Sequence, residues 1–196
     1  METGELIALR VNDLKQFEYC PRIVFYNTVM PLDRKVSFKM QRGSEAEFRL
    51  DALEKRRSLH RYRLAKGERR FHVWLHSERL GLSGKMDLLI VSQQGYYPVD
   101  FKYTRGRPRR NHINQLAGYS VLVEDHFNTQ VDTAFIYLAP IGELVAIKMT
   151  AELKREVPQR LTEIRAMIKE EILPEPTPVR ARCEECEFRN YCGDIF

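Results

Sequence analysis

The sequence predicts a mixed α/β fold, one sheet with helices on its faces, and three observations carry that reading. Phe71, Val73 and Leu75 alternate with Arg70, His72, Trp74 and His76, the period-2 pattern of a half-buried strand. Two further strand-like runs, 85–91 and 96–103, stand either side of the turn Ser92-Gln93-Gln94-Gly95. Segments of helical period precede, separate and follow the strands, giving the order α–βββ–α–ββ–α.

Taken in order, the first helix starts near Asn12, a residue suited to an N-cap, with Leu14 and Phe17 on one face. Pro21 interrupts it directly after Cys20, and Ile23-Val24-Phe25-Tyr26 begins a second short helix. An amphipathic helix over 44–57 turns Ala46, Leu50 and Leu53 inward. The three strands follow, then a helix over 111–127 and a hairpin, 131–139 and 143–149, around Pro140-Ile141-Gly142. Thr150 caps a long charged helix reaching residue 172, with a bend expected near Pro158. Pro174, Pro176 and Pro178 make a stiff connector. The organisation expected is one domain over 1–173, with a segment over 174–196 that packs back on the N-terminal helices.

A chain of 196 residues, 43% hydrophobic, supports one good core. A net charge of +5 and a pI near 9.0 permit a polyanionic partner without requiring one. The start lacks the basic-then-apolar pattern of a signal peptide, and the longest strongly apolar run, Leu88-Leu89-Ile90-Val91, is too short to span a bilayer. The expectation is a soluble, cytoplasmic protein with no membrane partner.

Asp100 and Lys102 lie two apart in a strand, so both side chains leave the same face. Centring the turn on Gln93–Gln94 sets Asp87 across from Asp100, with Cβ atoms about 4.5–5.5 Å apart. Two carboxylates so close call for a cation, and Mg²⁺ or Mn²⁺ prefers such oxygen ligands. A metal held there activates water and stabilises charge on a phosphodiester, with Lys102 as a point charge beside the attack. Gln115 and Tyr119 share a face of the next helix, where they could position a phosphate or base.

The four cysteines are lopsided: Cys20 alone, then Cys183, Cys186 and Cys192 as C-x2-C-x5-C. In a reducing compartment such spacing points to metal ligation rather than disulfides. Zinc and an iron–sulfur cluster both accept four thiolates, though a single distant partner is less typical of zinc.

With these residues in this order, the chain resembles the RecB-like PD-(D/E)xK nucleases that carry an iron–sulfur cluster, most closely the CRISPR-associated exonuclease of the fourth Cas family. The matching elements are Cys20; Gly84-Lys85-Met86-Asp87 for G-x-x-D; Asp100-Phe101-Lys102 for (D/E)-x-K; Gln115 to Tyr119 for Q-x-x-x-Y; and Cys183, Cys186 and Cys192. Glu47 stands where the family often has a histidine metal ligand, and Asp100 where many members have Glu. The resemblance implies a restriction-endonuclease-like sheet flanked by helices and a C-terminal iron–sulfur tail, 4Fe–4S in type. It implies a Mn²⁺ or Mg²⁺ site from Glu47, Asp87, Asp100 and the Phe101 carbonyl, with Lys102, Gln115 and Tyr119 serving catalysis. It further implies trimming of prespacer DNA with single-stranded overhangs, selection of ends carrying the protospacer-adjacent motif, and partnership with the CRISPR integrase complex. Two neighbouring readings share these residues: an assembly module that binds DNA for the integrase without cutting it, and a RecB-like repair nuclease outside CRISPR.

Arg105, Arg107, Arg109 and Arg110 crowd the loop after the Asp100 strand, with His112 just beyond, and are expected to hold DNA phosphates. The stretch Lys55-Arg56-Arg57 with Arg61 and Arg63 reads as solvated surface. The strand face bearing His72, Trp74 and His76 reads as surface or partner-facing, not as a metal site.

Overall fold

A computed structural model describes residues 6–31, 50–184 and 186–193. Its centre is β3 (Leu82–Ser92), paired along one edge with the antiparallel β2 (Glu68–Ser77). The other edge of β3 is shared. The short β1 (Leu9–Arg10) runs parallel to Leu82 and Ser83, and β4 (Gly95–Lys102) pairs antiparallel from Leu88 to Ser92. From β4 the sheet continues through a parallel β5 (Thr133–Leu138) to an antiparallel β6 (Glu143–Lys148). A parallel pair needs a crossover, and α3 (Arg110–Phe127) supplies it between β4 and β5.

The helical boundaries differ from expectation in instructive ways. The first helix, α1 (Val11–Tyr19), leaves β1 directly, and its cap is Arg10, whose N–H donates to Asp13 Oδ2 at 2.7 Å. Asn12 is an exposed residue inside the first turn. A second helix, α2 (Pro21–Thr28), opens on proline, where the missing N–H would have had no partner. After α3 and the hairpin comes α4 (Ala151–Glu170), whose cap Thr150 accepts the Leu153 N–H at 3.2 Å. This helix is continuous with Pro158 inside it, and it buries Leu153, Val157, Leu161 and Ile164 against the sheet layer.

The helix expected over 44–57 is described from residue 50, and its helical turns end at 56. Leu50 faces in, but Leu53 is 50% exposed, contrary to expectation. The inward position is taken by Glu54, fully buried and one turn from Leu50. Tyr62 O–H donates to it at 2.8 Å, and Arg57, Arg69 and Arg61 approach at 3.4, 3.7 and 3.9 Å. Arg57 and Arg61 also lie over the Tyr137 ring at 4.9 and 4.7 Å. These two arginines are therefore structural clamps, not solvated surface.

The sheet separates two apolar clusters. The larger lies under α1–α4; the smaller joins Leu50, Leu59, Tyr62 and Leu64 to Leu88, Ile90, Val99, Phe135 and Tyr137 on the other side. Strands β2 and β3 exchange faces midway. Val73, Leu75 and Met86 pack in the larger cluster, whereas Phe71 and Leu88, one step along, pack in the smaller. The plain alternation read from Phe71, Val73 and Leu75 thus fails at His72, which holds φ +53. A left-handed residue rotates the following peptide and resets which side is inward. The ladder skips the pair His72–Asp87 at this pivot, so Asp87 sits at the break.

Candidate active site and cysteine cavity

The register expected from the turn holds, with Leu88 opposite Val99 and Ser92 opposite Gly95. The ladder stops at Leu88–Val99, one step short of Asp87 and Asp100. On that edge β1 reaches only Ser83, so residues 84–87 of β3 face a fork between β1 and β4. Side chains take over the backbone groups there. Asp87 Oδ2 accepts the Phe101 N–H at 2.6 Å, and Tyr119 O–H donates to the Lys85 carbonyl at 2.8 Å.

From the far side of the fork, Asp100 Oδ2 lies 2.6 Å from Lys102 Nζ, and Lys102 Nζ donates to Gln115 Oε1 at 2.7 Å. Gln115 Nε2 donates in turn to Tyr119 Oη at 3.4 Å. Asp100, Lys102, Gln115 and Tyr119 therefore form one connected chain, with Asp87 on the strand beside it. Gly84 makes the approach possible: a Cβ there would lie 2.8 Å from Val11 Cγ2 and 2.9 Å from Tyr119 Cε1. Gly118 on α3 does the same for α1, since a Cβ would lie 2.8 Å from Leu14 Cδ1.

The donor set suits a hard cation. Asp100 is buried, and its Oδ2 receives an ammonium contact but no aligned hydrogen bond, an oxygen with capacity to spare. The Lys102 carbonyl accepts the Ala139 N–H at 2.9 Å on the β5 side. By strand alternation the Phe101 carbonyl points the other way, toward Asp87 and the fork. Among the described residues no three His, Cys, Asp or Glu side chains gather as ligands of one ion. Glu47 lies outside the described residues.

Two further groups border the fork. Lys15 on α1 is half-buried, and its pKa is lowered first by burial, then by Lys102, against weaker support from Asp100 and Asp87. His112, on the first turn of α3, is pushed down to about 4 by burial and by the positive charges of Lys102, Lys15 and Arg109, so its ring is neutral at neutral pH. No sequence motif marks Lys15. The only signal was its helical spacing from Val11 and Glu18, visible once α1 is known to lie on α3. The basic loop is exposed at Arg105, Arg107, Arg109 and Arg110, and Arg110 is engaged by Glu156 of α4. Trp74 is 60% exposed and His76 is exposed, while His72 Nε2 lies 2.6 Å from Asp51 Oδ2.

The four cysteines line a single cavity on the other side of α1 and α2, with Tyr19, Arg22, Tyr26 and Phe188 among its walls. The tail that brings three of them contains little regular structure, a 3-10 turn at Arg180–Arg182 and the single-turn α5 (Arg189–Cys192). It is fastened by side chains. Arg182 donates to the Tyr19 carbonyl at 2.6 Å, Arg22 donates to the Pro174 carbonyl at 2.7 Å, and the Tyr26 and Phe188 rings lie 5.3 Å apart. Arg22 also donates to Cys192 Sγ at 3.3 Å. Burial pushes the Cys186 thiol up, and Cys20, Cys183 and Cys192 add to the rise. The four thiols thus share one cavity with an arginine donor, without gathering, among the described residues, as ligands of one ion.

Among the described residues no helix is long and apolar enough to cross a membrane. The model of the PD-(D/E)XK nuclease superfamily matches residues 30–193. A CRISPR-associated exonuclease Cas4 of Francisella tularensis subsp. novicida is 28% identical over 188 residues, covering 96% of this chain and 95% of its own. The protein of the same name from Aeropyrum pernix is 28% identical, with 93% of each chain covered. That of Thermoproteus tenax is 24% identical over 93% of this chain and 92% of its own. Among solved structures, SSO0001 superposes with a TM-score of 0.57 at 15% identity, over 100% of this chain and 89% of that one. A solved structure from Eubacterium rectale gives 0.52 at 15% identity, over 96% of this chain and 89% of that one. The sheet and the family model agree: the chain belongs to the PD-(D/E)XK nuclease superfamily, and the three relatives support a nuclease of the Cas4 type within it.

Proposed function

We propose that this chain is a CRISPR-associated deoxyribonuclease, dependent on Mn²⁺ or Mg²⁺, that trims prespacer DNA with single-stranded overhangs. It selects ends carrying the protospacer-adjacent motif and hands them to the CRISPR integrase complex. The observation that carries the chemistry is the fork: a buried Asp100 and a strand-break Asp87 converge with Lys102 where the sheet opens. Asp87, Asp100 and the Phe101 carbonyl, with Glu47, would hold the divalent cation, which supplies a Lewis acid and an activated water. Lys102 places its charge beside the attacked phosphate while Gln115 fixes its ammonium in position. Tyr119 in turn keeps Gln115 and the edge of β3 in register. Arg105, Arg107 and Arg109 hold DNA phosphates without reading sequence, and Arg110 contributes less because Glu156 already engages it. Cys20, Cys183, Cys186 and Cys192 would hold a 4Fe–4S cluster, in the segment over 174–196 that closes on the N-terminal helices; the shared cavity and the Arg22 donor support this.

Cleavage of overhang DNA in Mn²⁺ by the wild type and Lys102→Ala tests the reading. The variant is expected to lose about 10²-fold or more in rate, the scale of removing one preorganised charge, while binding DNA and keeping its visible absorbance. Wild-type cleavage by Lys102→Ala would reject the assignment and favour a non-cutting assembly module.

A further inference from the structure

We infer that Lys15 is a substrate-binding residue of the fork, the ammonium that receives an anionic oxygen of a DNA phosphate drawn in beside Lys102. The inference rests on the nuclease reading and deepens it.

Placement comes first. On α1, Val11 packs against the Gly84 and Gly118 positions, and Glu18 accepts from Asn114 Nδ2 at 3.1 Å. Lys15 stands one turn after Val11 and one turn before Glu18, so it shares the stripe that faces α3 and the open edge of β3. Two features then separate it from an ordinary structural lysine. It is half-buried, yet among the described residues it joins no ion pair and donates no hydrogen bond. Lys154, similarly half-buried on α4, shows the usual arrangement: its ammonium lies 2.6 Å from Glu124. Secondly, the strongest charge Lys15 feels is the repulsion of Lys102, which outranks the attraction of either aspartate. A half-buried ammonium without an ion pair, beside another ammonium, is unfavourable in the free protein and gains when an anion arrives. The Lys102 ammonium is already divided between Asp100 and Gln115 at 2.6 and 2.7 Å, whereas Lys15 has no such partner among the described residues. His112 does not compete, being neutral in this setting.

Binding of overhang DNA in Ca²⁺, where cleavage is suppressed, tests this with the protein as isolated. Lys15→Gln is expected to weaken binding by about 10-fold or more, the scale of one charge-assisted hydrogen bond, and Lys15→Arg to restore most of it. Replacing single phosphates by neutral methylphosphonates should reveal one linkage at which wild type and Lys15→Gln bind equally. DNA should also shield Lys15 of the wild type from an acylating reagent, a readout that does not depend on any variant folding. Unchanged affinity of Lys15→Gln, an equal deficit at every linkage, or acylation undiminished by DNA would each overturn the assignment. If Lys102→Ala loses cleavage as expected while Lys15→Gln binds normally, only this inference fails; if the wild type neither binds nor cuts DNA, the nuclease reading falls with it.

Discussion

The fork and the cysteine tail are built on opposite principles. Asp87, Asp100, Lys102, Gln115 and Tyr119 hang from long strands or an 18-residue helix, and the side chains that close the fork bond to backbone left over where the ladder stops. The tail has only short turns, and it is held to α1 and α2 by arginine donors, by ring contacts of Tyr19 and Tyr26, and by the buried Phe188. The fork is thus preorganised by the core, whereas the tail is tied to it at few points, Phe188 in the core among them, and the proposed cluster would join its sulfurs. A rigid site suits chemistry at a fixed phosphate, and a tail of short turns is where the proposed cluster would act as a staple.

The largest expected break in that contrast comes from Cys20→Ala. It should abolish the visible absorbance and the bound iron, and expose the connector beyond residue 173 to limited proteolysis, while the sheet core stays resistant. Stoichiometric zinc without iron in the wild type, isolated without oxygen, would contradict the cluster. Next in size is Gly84→Ala, which has no space for its methyl between Val11 and Tyr119. Denaturant unfolding should show a loss of about 1–3 kcal/mol, and cleavage should fall with the displaced Tyr119. A change confined to the tail would contradict the packing described.

A smaller effect sharpens the electrostatics. The folded protein holds His112 at about 4, below the ordinary 6.5, so between these values the unfolded chain binds a proton that the folded one refuses. Its contribution is complete above pH 6.5 and is lost as pH falls toward 4. Chemical denaturation across that window should show a stability slope that His112→Gln reduces; an identical slope in the variant would rule the histidine out.

Much of the fork was legible because its parts are periodic. The two-residue spacing of Asp100 and Lys102, the turn at 92–95 and the four-residue spacing of Gln115 and Tyr119 each translate directly into a shared face. The face exchange at His72 was not legible, since a left-handed residue within a strand leaves no compositional trace. Leu53 misled because its inward neighbour is an acid, Glu54, stabilised by arginines that look like surface charge in the sequence. Lys15 was hidden because the charges it feels lie on β3 and β4, distant in sequence and brought near only by the fold.

The central claim is that Asp87 and Asp100 at the sheet fork hold the catalytic cation. Mn²⁺ binding by calorimetry, compared between wild type and Asp100→Asn, tests it most directly, because the substitution keeps shape and removes charge. The account predicts that the variant loses the Mn²⁺ site and cleavage together while retaining affinity for DNA. Wild-type Mn²⁺ affinity with intact cleavage in Asp100→Asn would contradict it.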